Sequence, residues 1–566
     1  MRYLISDVGR RGEKGKIAVS LTDLIIDQDR IKRHFSHFLS GRPFRTARAM
    51  ATSDRDNVLR HFQCIGIVGA GNMGTQMAIA FSELGLNVSA WDVNQRNIDE
   101  LQDWSRNNQS KGEITGFYEI NHFVRSLEKQ ERKLFLFSIS HGNPAESVLG
   151  MIKSTLKDGD IVLDGGNEDY RRTQKRQEEC DKIGVHWIGM GVSGGYQAAR
   201  RGPSLSPGGD AQAIESVMPL LELYAAKDHQ GNPCVARIGP GGSGHYVKMV
   251  HNGIEGGMLS ALAEAWSFLH YGLELDYDTI ANIFSRWNGD GELRGTYLLD
   301  IAVDMLRAKT ASGGSNGGND RKQHYVLDEV LDKVVQDDDD TEGTPYWNIM
   351  ESASRHISTP TLATAHYLRI ASGNRAERLL AAKKLQIPGP KPIQGIVDKG
   401  TIIEHLRCAI YCCFLASFCQ GLEMIVRASD DEGWGIDLRQ CLRVWRGGCI
   451  IQADGIADLL EPVLSADHHW TNLKHANEVA GELHHTFRSL KEIVVQGTLS
   501  DQYLPAISAS LEYLKYAGGT VLPTKFMEGQ MDFFGAHGYN KPGVPGEDPG
   551  PVGKGPHHYE WRPAKE

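Results

Sequence analysis

The stretch Gly241 to Gly257, GGSGHYVKMVHNGIEGG, places a lysine, a histidine, an asparagine and a glutamate within barely two helical turns. If Tyr246 to Glu255 is helical, Lys248 falls at i, His251 and Asn252 at i+3 and i+4, and Glu255 at i+7, which a period of 3.6 residues puts on one face. A base, an acid and two hydrogen-bonding groups on one face suit proton transfer in both directions. Val247, Met249, Val250 and Ile254 would pin the other side into a core and hold the reactive groups rigidly. The same spacing also fits a solvated face whose lysine and glutamate merely pair, so the surrounding elements must decide.

Upstream, Cys64 to Val68 (CIGIV) reads as a buried parallel strand, followed at once by Gly69, Gly71 and Gly74 in GAGNMG and by a helical run from Thr75 to Leu84. Strand, glycines and helix in this order are the dinucleotide fingerprint, with Ala70, Asn72 and Met73 between the glycines. The first glycine permits the tight turn, the second lets a pyrophosphate approach the backbone, and the third allows close helix packing. A second strand, Asn87 to Trp91, ends at Asp92, where a carboxylate accepts from ribose hydroxyls and repels a 2'-phosphate, which favours NAD over NADP. Further strands are expected at Lys133 to Ile139, Asp160 to Leu163 and Val185 to Ile188. Alternation of strand and helix predicts an α/β Rossmann-type, doubly wound parallel sheet over residues 61–240. Two polar glycine turns, Asp164 to Asn167 (DGGN) and Gly191 to Gly195 (GVSGG), sit where ligands bind such sheets. Asn167 and Ser193, with backbone N–H groups at Gly194 and Gly195, form a binding hypothesis.

From residue 241 to 520 long amphipathic stretches replace strands, among them Leu259 to Leu269, Asp278 to Trp287 and Ile403 to Arg427, and predict a large all-α domain. The loop Ala311 to Asn319 and the acidic run Asp337 to Asp340 read as solvated surface. Residues 521–566 are rich in Gly, Pro and aromatics with little periodicity, as in an extended tail ordered by lying on another surface. Residues 1–60 form an extension of unknown role: arginines cluster there, but Asp7, Glu13, Asp23, Asp27 and Asp29 are uncharacteristic of a mitochondrial targeting segment. A cytoplasmic location is expected, or a mitochondrial one if that extension is a genuine address.

A formal charge of -10 argues against a nucleic-acid partner. The longest apolar run, Cys408 to Cys419, is shorter than the roughly 18 residues that cross a bilayer, so a buried helix and no membrane association are expected. The nine cysteines show no paired CxxC spacing, so neither a disulfide framework nor a metal site is indicated.

These motifs resemble those of the decarboxylating 6-phosphogluconate dehydrogenases, within the β-hydroxyacid dehydrogenase group. The resemblance runs from about Ile65 to the C-terminus through GAGNMG, DGGN, GVSGG with GPSLSPGG (Gly202 to Gly209), GHYVKMVHNGIE, WRGGCII (Trp445 to Ile451) and DFFGAH (Asp532 to His537). It implies hydride transfer to a nicotinamide, loss of carbon dioxide and protonation of an enediol, giving a ketopentose product. By the same motifs Lys248 is the expected base, Glu255 the acid, and Asn252 and His251 hold the sugar acid. Asn167, Ser193, Gly194 and Gly195 would hold its carboxylate end. Cofactor contacts are implied at Val93, Phe137, Ser138, Ile139 and Asn167. A homodimer is implied too, its C-terminal tail exchanged so that His537 enters the partner's site.

The departures concern the far end of the substrate. Where the family grips a terminal phosphate with a tyrosine, a lysine and two arginines, this chain has Gly256, Glu342, Arg369 and Met531, and Tyr196 stands for a glutamate. Thr344, Arg369 and His537 remain as substrate ligands. A phosphate is therefore expected to contribute little, and the substrate is 6-phosphogluconate held by compensating residues or a related aldonate. Two other readings are a non-decarboxylating β-hydroxyacid dehydrogenase acting on an unphosphorylated acid and a catalytically silent NAD(H)-binding protein.

Overall fold

The computed structural model describes Val58 and residues 61–311, 323–334, 343–395, 397–466 and 468–563. The expectations for the rest of the N-terminal extension, for 312–319, for 337–340 and for Glu342 lie outside these residues.

Seven strands form the first sheet: β1 (Cys64–Val68), β2 (Asn87–Trp91), β3 (Ile114–Phe117), β4 (Leu134–Phe137), β5 (Ile161–Asp164), β6 (His186–Ser193) and β7 (Ser204–Gly208). Their order is β3-β2-β1-β4-β5-β6-β7. All neighbouring pairs are parallel except β6 with β7, which adds an antiparallel edge to the expected doubly wound parallel sheet. The strand order reverses beside β1, which puts the glycine turn after β1 at the crevice where such sheets bind ligands. Buried central strands must be apolar throughout, and β4 (LFLF) and β5 (IVLD) are buried at every position.

Two strands are invisible to pattern reading. β3 is four residues long and includes Gly116, where a Cβ would lie 2.6 Å from Ile98. β7 (SLSPG) has turn composition, yet Pro207 fits there because its missing donor sits on an edge.

The stretch holding Lys248 and Glu255 lies in helix Ser243–Ser267, much longer than the ten residues expected. It packs against helix Lys399–Glu432, which carries the Cys408 to Cys419 run. That helix is long and apolar enough to cross a membrane, but 94% of its apolar window is buried inside the protein. All nine cysteines are free. The tail contains helix Thr524–Gly535, which weak periodicity had hidden.

Glu264 shows how the helices are tied together. Helix Pro505–Ala517 starts without a side-chain cap of its own, leaving N–H groups unpaired in its first turn. Glu264, buried on the neighbouring helix, accepts from Ala506 N at 2.9 Å and Ile507 N at 3.0 Å, and from Ser260 Oγ at 2.7 Å. Burial nevertheless pushes its carboxyl up to about 7. A pKa raised in the folded state means that the native protein binds the extra proton. Stability from this group is therefore full below the unfolded value near 4.5 and is lost as pH rises through about 7. Between pH 5 and 8 the wild type should lose stability relative to Glu264→Gln, with a steepest slope of about 1.4 kcal/mol per pH unit. Paired unfolding curves check this, and parallel profiles would contradict it.

Candidate active site

Glycines let the catalytic helix lie directly on the sheet. A Cβ on Gly244 would sit 2.2 Å from Gly189 O and 2.3 Å from Ser206 O, and one on Gly191 would sit 2.6 Å from Lys248 Cβ. The helix therefore meets β6 and β7 backbone to backbone. This brings Lys248 beside the end of β6, where its Nζ donates to Ser193 Oγ at 2.9 Å. Burial holds the Lys248 ammonium below the ordinary lysine value, against the pull of the Glu255 carboxylate. Burial likewise raises the Glu255 carboxyl, opposed by Lys248 and Arg369. The two shifts converge, which increases the fraction in which a neutral amine and a protonated carboxyl coexist.

His251 and Asn252 complete the face. Asn252 Nδ2 donates to Thr344 Oγ1 at 2.7 Å, which turns its Oδ1 toward His251 Nδ1 at 3.1 Å. With that oxygen accepting, Nδ1 carries the proton and Nε2 offers a lone pair. His251 Nε2 is buried and has no partner among the described residues, so it is set to accept from a ligand hydroxyl. Burial and the Lys248 charge hold the imidazole well below its usual range, so it stays neutral. Glu255 Oε2 lies 3.7 Å from Nδ1, which places all four groups on one side of the helix.

Across the crevice, the DGGN turn ends β5 with Asn167 exposed. Behind it Glu168 accepts from Gly142 N at 2.9 Å and pairs with Arg176 at 2.6 Å. His245 Nε2 meets Asp164 O at 3.0 Å, and its Nδ1 meets Thr173 Oγ1 at 2.6 Å. His245, three residues before Lys248 on the same helix, thus braces the DGGN turn; its place in the same motif was the available signal. Gly194 is wedged under the WRGGCII turn, where a Cβ would meet Gly448 O at 2.2 Å, while Trp445 packs on His251 with centroids 6.2 Å apart.

The dinucleotide crevice fits its ligand. Gly69 has φ +89, and a Cβ there would lie 2.3 Å from Ser138 O; one on Gly74 would lie 1.8 Å from Gly69 O. Among the described residues nothing lies within 4 Å of a Cβ on Gly71, which leaves room for a pyrophosphate at the start of helix Asn72–Leu84. Asn72 is exposed, Met73 half-buried and Ala70 buried. Ala70 instead donates its N–H to Asp92 Oδ2 at 2.6 Å. Asp92 also accepts from Asn94 N at 2.7 Å and Asn97 Nδ2 at 3.1 Å, so it braces the turn and keeps one acceptor position for a ribose hydroxyl. Val93, Ser138 and Ile139 reach the surface of this crevice to differing extents. Phe137 does not: it is fully buried with its ring on Trp187 at 5.3 Å, and its carbonyl accepts from Gly165 N. It belongs to the core because every position of a doubly covered strand faces a helix layer.

Thr344 joins the site through Asn252, and Arg369 lies close enough to lower the Glu255 carboxyl. His537 is not brought there by its own chain: it stands exposed beside Phe534, centroids 5.8 Å apart. Among the described residues no side chain crowds Gly256.

Fold and site together define an NAD(P)-dependent oxidoreductase with a dinucleotide-binding sheet and a helical partner domain. A family model for the NAD binding domain of 6-phosphogluconate dehydrogenase matches residues 64–239, and one for the 6-phosphogluconate dehydrogenase C-terminal domain matches residues 244–561. An Emericella nidulans protein named 6-phosphogluconate dehydrogenase, decarboxylating, is 66% identical over 496 residues, 87% of this chain and 100% of its own length. A Bacillus subtilis protein named 6-phosphogluconate dehydrogenase, NAD(+)-dependent, decarboxylating, is 33% identical over 485 residues, 86% of this chain and 98% of its own. The solved Plasmodium falciparum 6-phosphogluconate dehydrogenase, studied in its apo form, with its cofactor NADP+ and with its substrate 6-phosphogluconate, aligns at a TM-score of 0.75 and 28% identity. It covers 88% of this chain and 100% of its own. The chain belongs to the 6-phosphogluconate dehydrogenases and is an enzyme of their decarboxylating kind; the non-decarboxylating and silent readings fall away.

Proposed function

We propose that the chain oxidises and decarboxylates 6-phosphogluconate with NAD preferred over NADP, Lys248 acting as base and Glu255 as acid. The observation that carries this is the buried Lys248 amine, hydrogen-bonded to Ser193 and converging in proton affinity with Glu255 on one helix face. Gly69, Gly71 and Gly74 would hold the pyrophosphate and Asp92 the ribose of a bound dinucleotide, which when bound supplies the hydride acceptor. Lys248, once neutral, takes the proton of the hydroxyl being oxidised and returns it to the carbonyl oxygen as carbon dioxide leaves. Glu255 then protonates the enediol carbon. His251 Nε2 accepts a substrate hydroxyl, while Asn167, Ser193 and the Gly194–Gly195 backbone orient the carboxylate. The preference for NAD rests on the Asp92 carboxylate closing β2.

The phosphate seat rests on Thr344 and Arg369 beside the open surface of Gly256. One charged hydrogen bond is worth about 1.5 to 3 kcal/mol, so kcat/KM for 6-phosphogluconate should exceed that for gluconate by roughly 10- to 100-fold, with NAD ahead of NADP for both. Equal values for the two acids would remove Arg369 from the substrate, and a lead for NADP would remove the ribose role of Asp92.

A homodimer with exchanged tails completes the proposal, in a cytoplasmic setting. Helix Thr524–Gly535 buries only Asp532 and leaves Phe534 74% exposed, and helix Arg375–Leu385 buries no residue and leaves Leu385 66% exposed. Surfaces so apolar require a cover. Four donors, from Gly538 N, His558 Nδ1, Tyr559 N and Trp561 Nε1, close on the Asp532 carboxylate and shape the tail from within.

A further inference from the structure

The groups that hold a substrate's carboxylate and the groups that move its protons stand on different elements, and one arginine joins them. Arg355, at the end of helix Thr344–Ser354 and 8% exposed, uses all three of its guanidinium nitrogens on that junction. Its Nε donates to Glu351 Oε2 at 2.9 Å and its Nη1 to Asp431 Oδ2 at 2.7 Å. Its Nη2 donates to Glu432 Oε1 at 2.8 Å and to Tyr170 OH at 3.0 Å. Glu351 also pairs with Arg171 at 2.6 Å.

Tyr170 and Arg171 open helix Tyr170–Asp181, which starts three residues after Asn167. Tyr170 is also seated on the catalytic helix: a Cβ on Gly242, the residue that precedes it, would lie 2.4 Å from Tyr170 O. Its ring meets Tyr246 at 5.2 Å and Trp434 at 5.5 Å, and the Arg355 guanidinium lies over Tyr246 at 5.6 Å. The helix that ends at Arg355 begins at Thr344, the hydroxyl that orients Asn252. Eleven residues at about 1.5 Å each span roughly 16 Å, so one rigid rod touches the site at its first residue and this junction at its last.

We infer that Arg355 is a positioning residue that latches the DGGN turn to the catalytic helix and so sets the distance between Asn167 and Lys248. The inference rests on the roles proposed above for those two residues. Removing Arg355 leaves Glu351 with Arg171 alone, Asp431 with only Arg427 at 3.7 Å, Glu432 without its guanidinium, and the Tyr170 hydroxyl with only its 3.4 Å bond to Glu432. The dinucleotide crevice on β1 and β2 is not touched.

The test compares full-length Arg355→Met and Tyr170→Phe with wild type, reading NADH affinity by fluorescence, kcat and KM for 6-phosphogluconate, and the deuterium isotope effect at the carbon that loses hydride. A misplacement near 1 Å costs about 100-fold. In Arg355→Met, kcat should fall roughly 10- to 100-fold and the isotope effect should rise, with NADH affinity within about twofold. Tyr170→Phe keeps the ring packing, removes the hydroxyl's bonds to Arg355 and Glu432, and should show the same changes to a smaller degree. If Arg355→Met does not fold, Tyr170→Phe decides. A folded variant that loses only thermal stability, with kcat and isotope effect unchanged, overturns the latch. Such a result beside an inactive Lys248→Met would leave the catalytic assignment standing.

Discussion

Lys248→Met should abolish turnover, lowering kcat by about 10³-fold or more, while NADH binding survives and thermal stability rises. Methionine keeps the length of the lysine stem and removes the amine, so the contact with β6 persists and only the proton acceptor goes. The gain in stability follows from the same burial that tunes the amine: a charge held away from water costs free energy that a thioether does not. In the wild type the acid limb of the kcat/KM profile should lie below the ordinary lysine range, with activity rising as Lys248 deprotonates. Normal turnover by the variant would remove Lys248 from the chemistry.

Glu255→Gln should separate the two halves of the reaction. The amide fills the same space but has no proton to give, so oxidation proceeds once and the enediol waits. Stopped-flow mixing should show a burst of about one NADH per site followed by a steady rate about 100-fold slower than wild type. A slow rate with no burst would place Glu255 before hydride transfer. Because burial raises its carboxyl, the basic limb of the kcat profile should reflect Glu255 losing its proton and should be absent in the variant.

The sheet and the reactive face were both legible from periodicity, and for one reason. Buried strands such as β4 must be apolar at every position, and groups at i, i+3, i+4 and i+7 must share a helix face whatever surrounds them. The hidden parts depend on tertiary partners. β7 carries Ser, Pro and Gly, and becomes a strand only because β6 offers it an edge. Glu264 looks like any helix-surface glutamate until helix Pro505–Ala517 presents its bare N–H groups. Phe137 was assigned to the cofactor from its place in a motif, but the side to which a strand residue points is set by pleat and neighbours, and it faces Trp187. Arg355 has no motif at all, since its four partners, Tyr170, Glu351, Asp431 and Glu432, come from three separate places in the chain.

The seam formed by Gly189, Gly191 and Gly244 reaches beyond position. No side chain stands between the backbone of that helix and the strands it lies on, so the joint itself does not loosen by side-chain hopping as heat is applied. Catalytic rate should therefore climb in Arrhenius fashion up to the melting transition itself, without an earlier plateau.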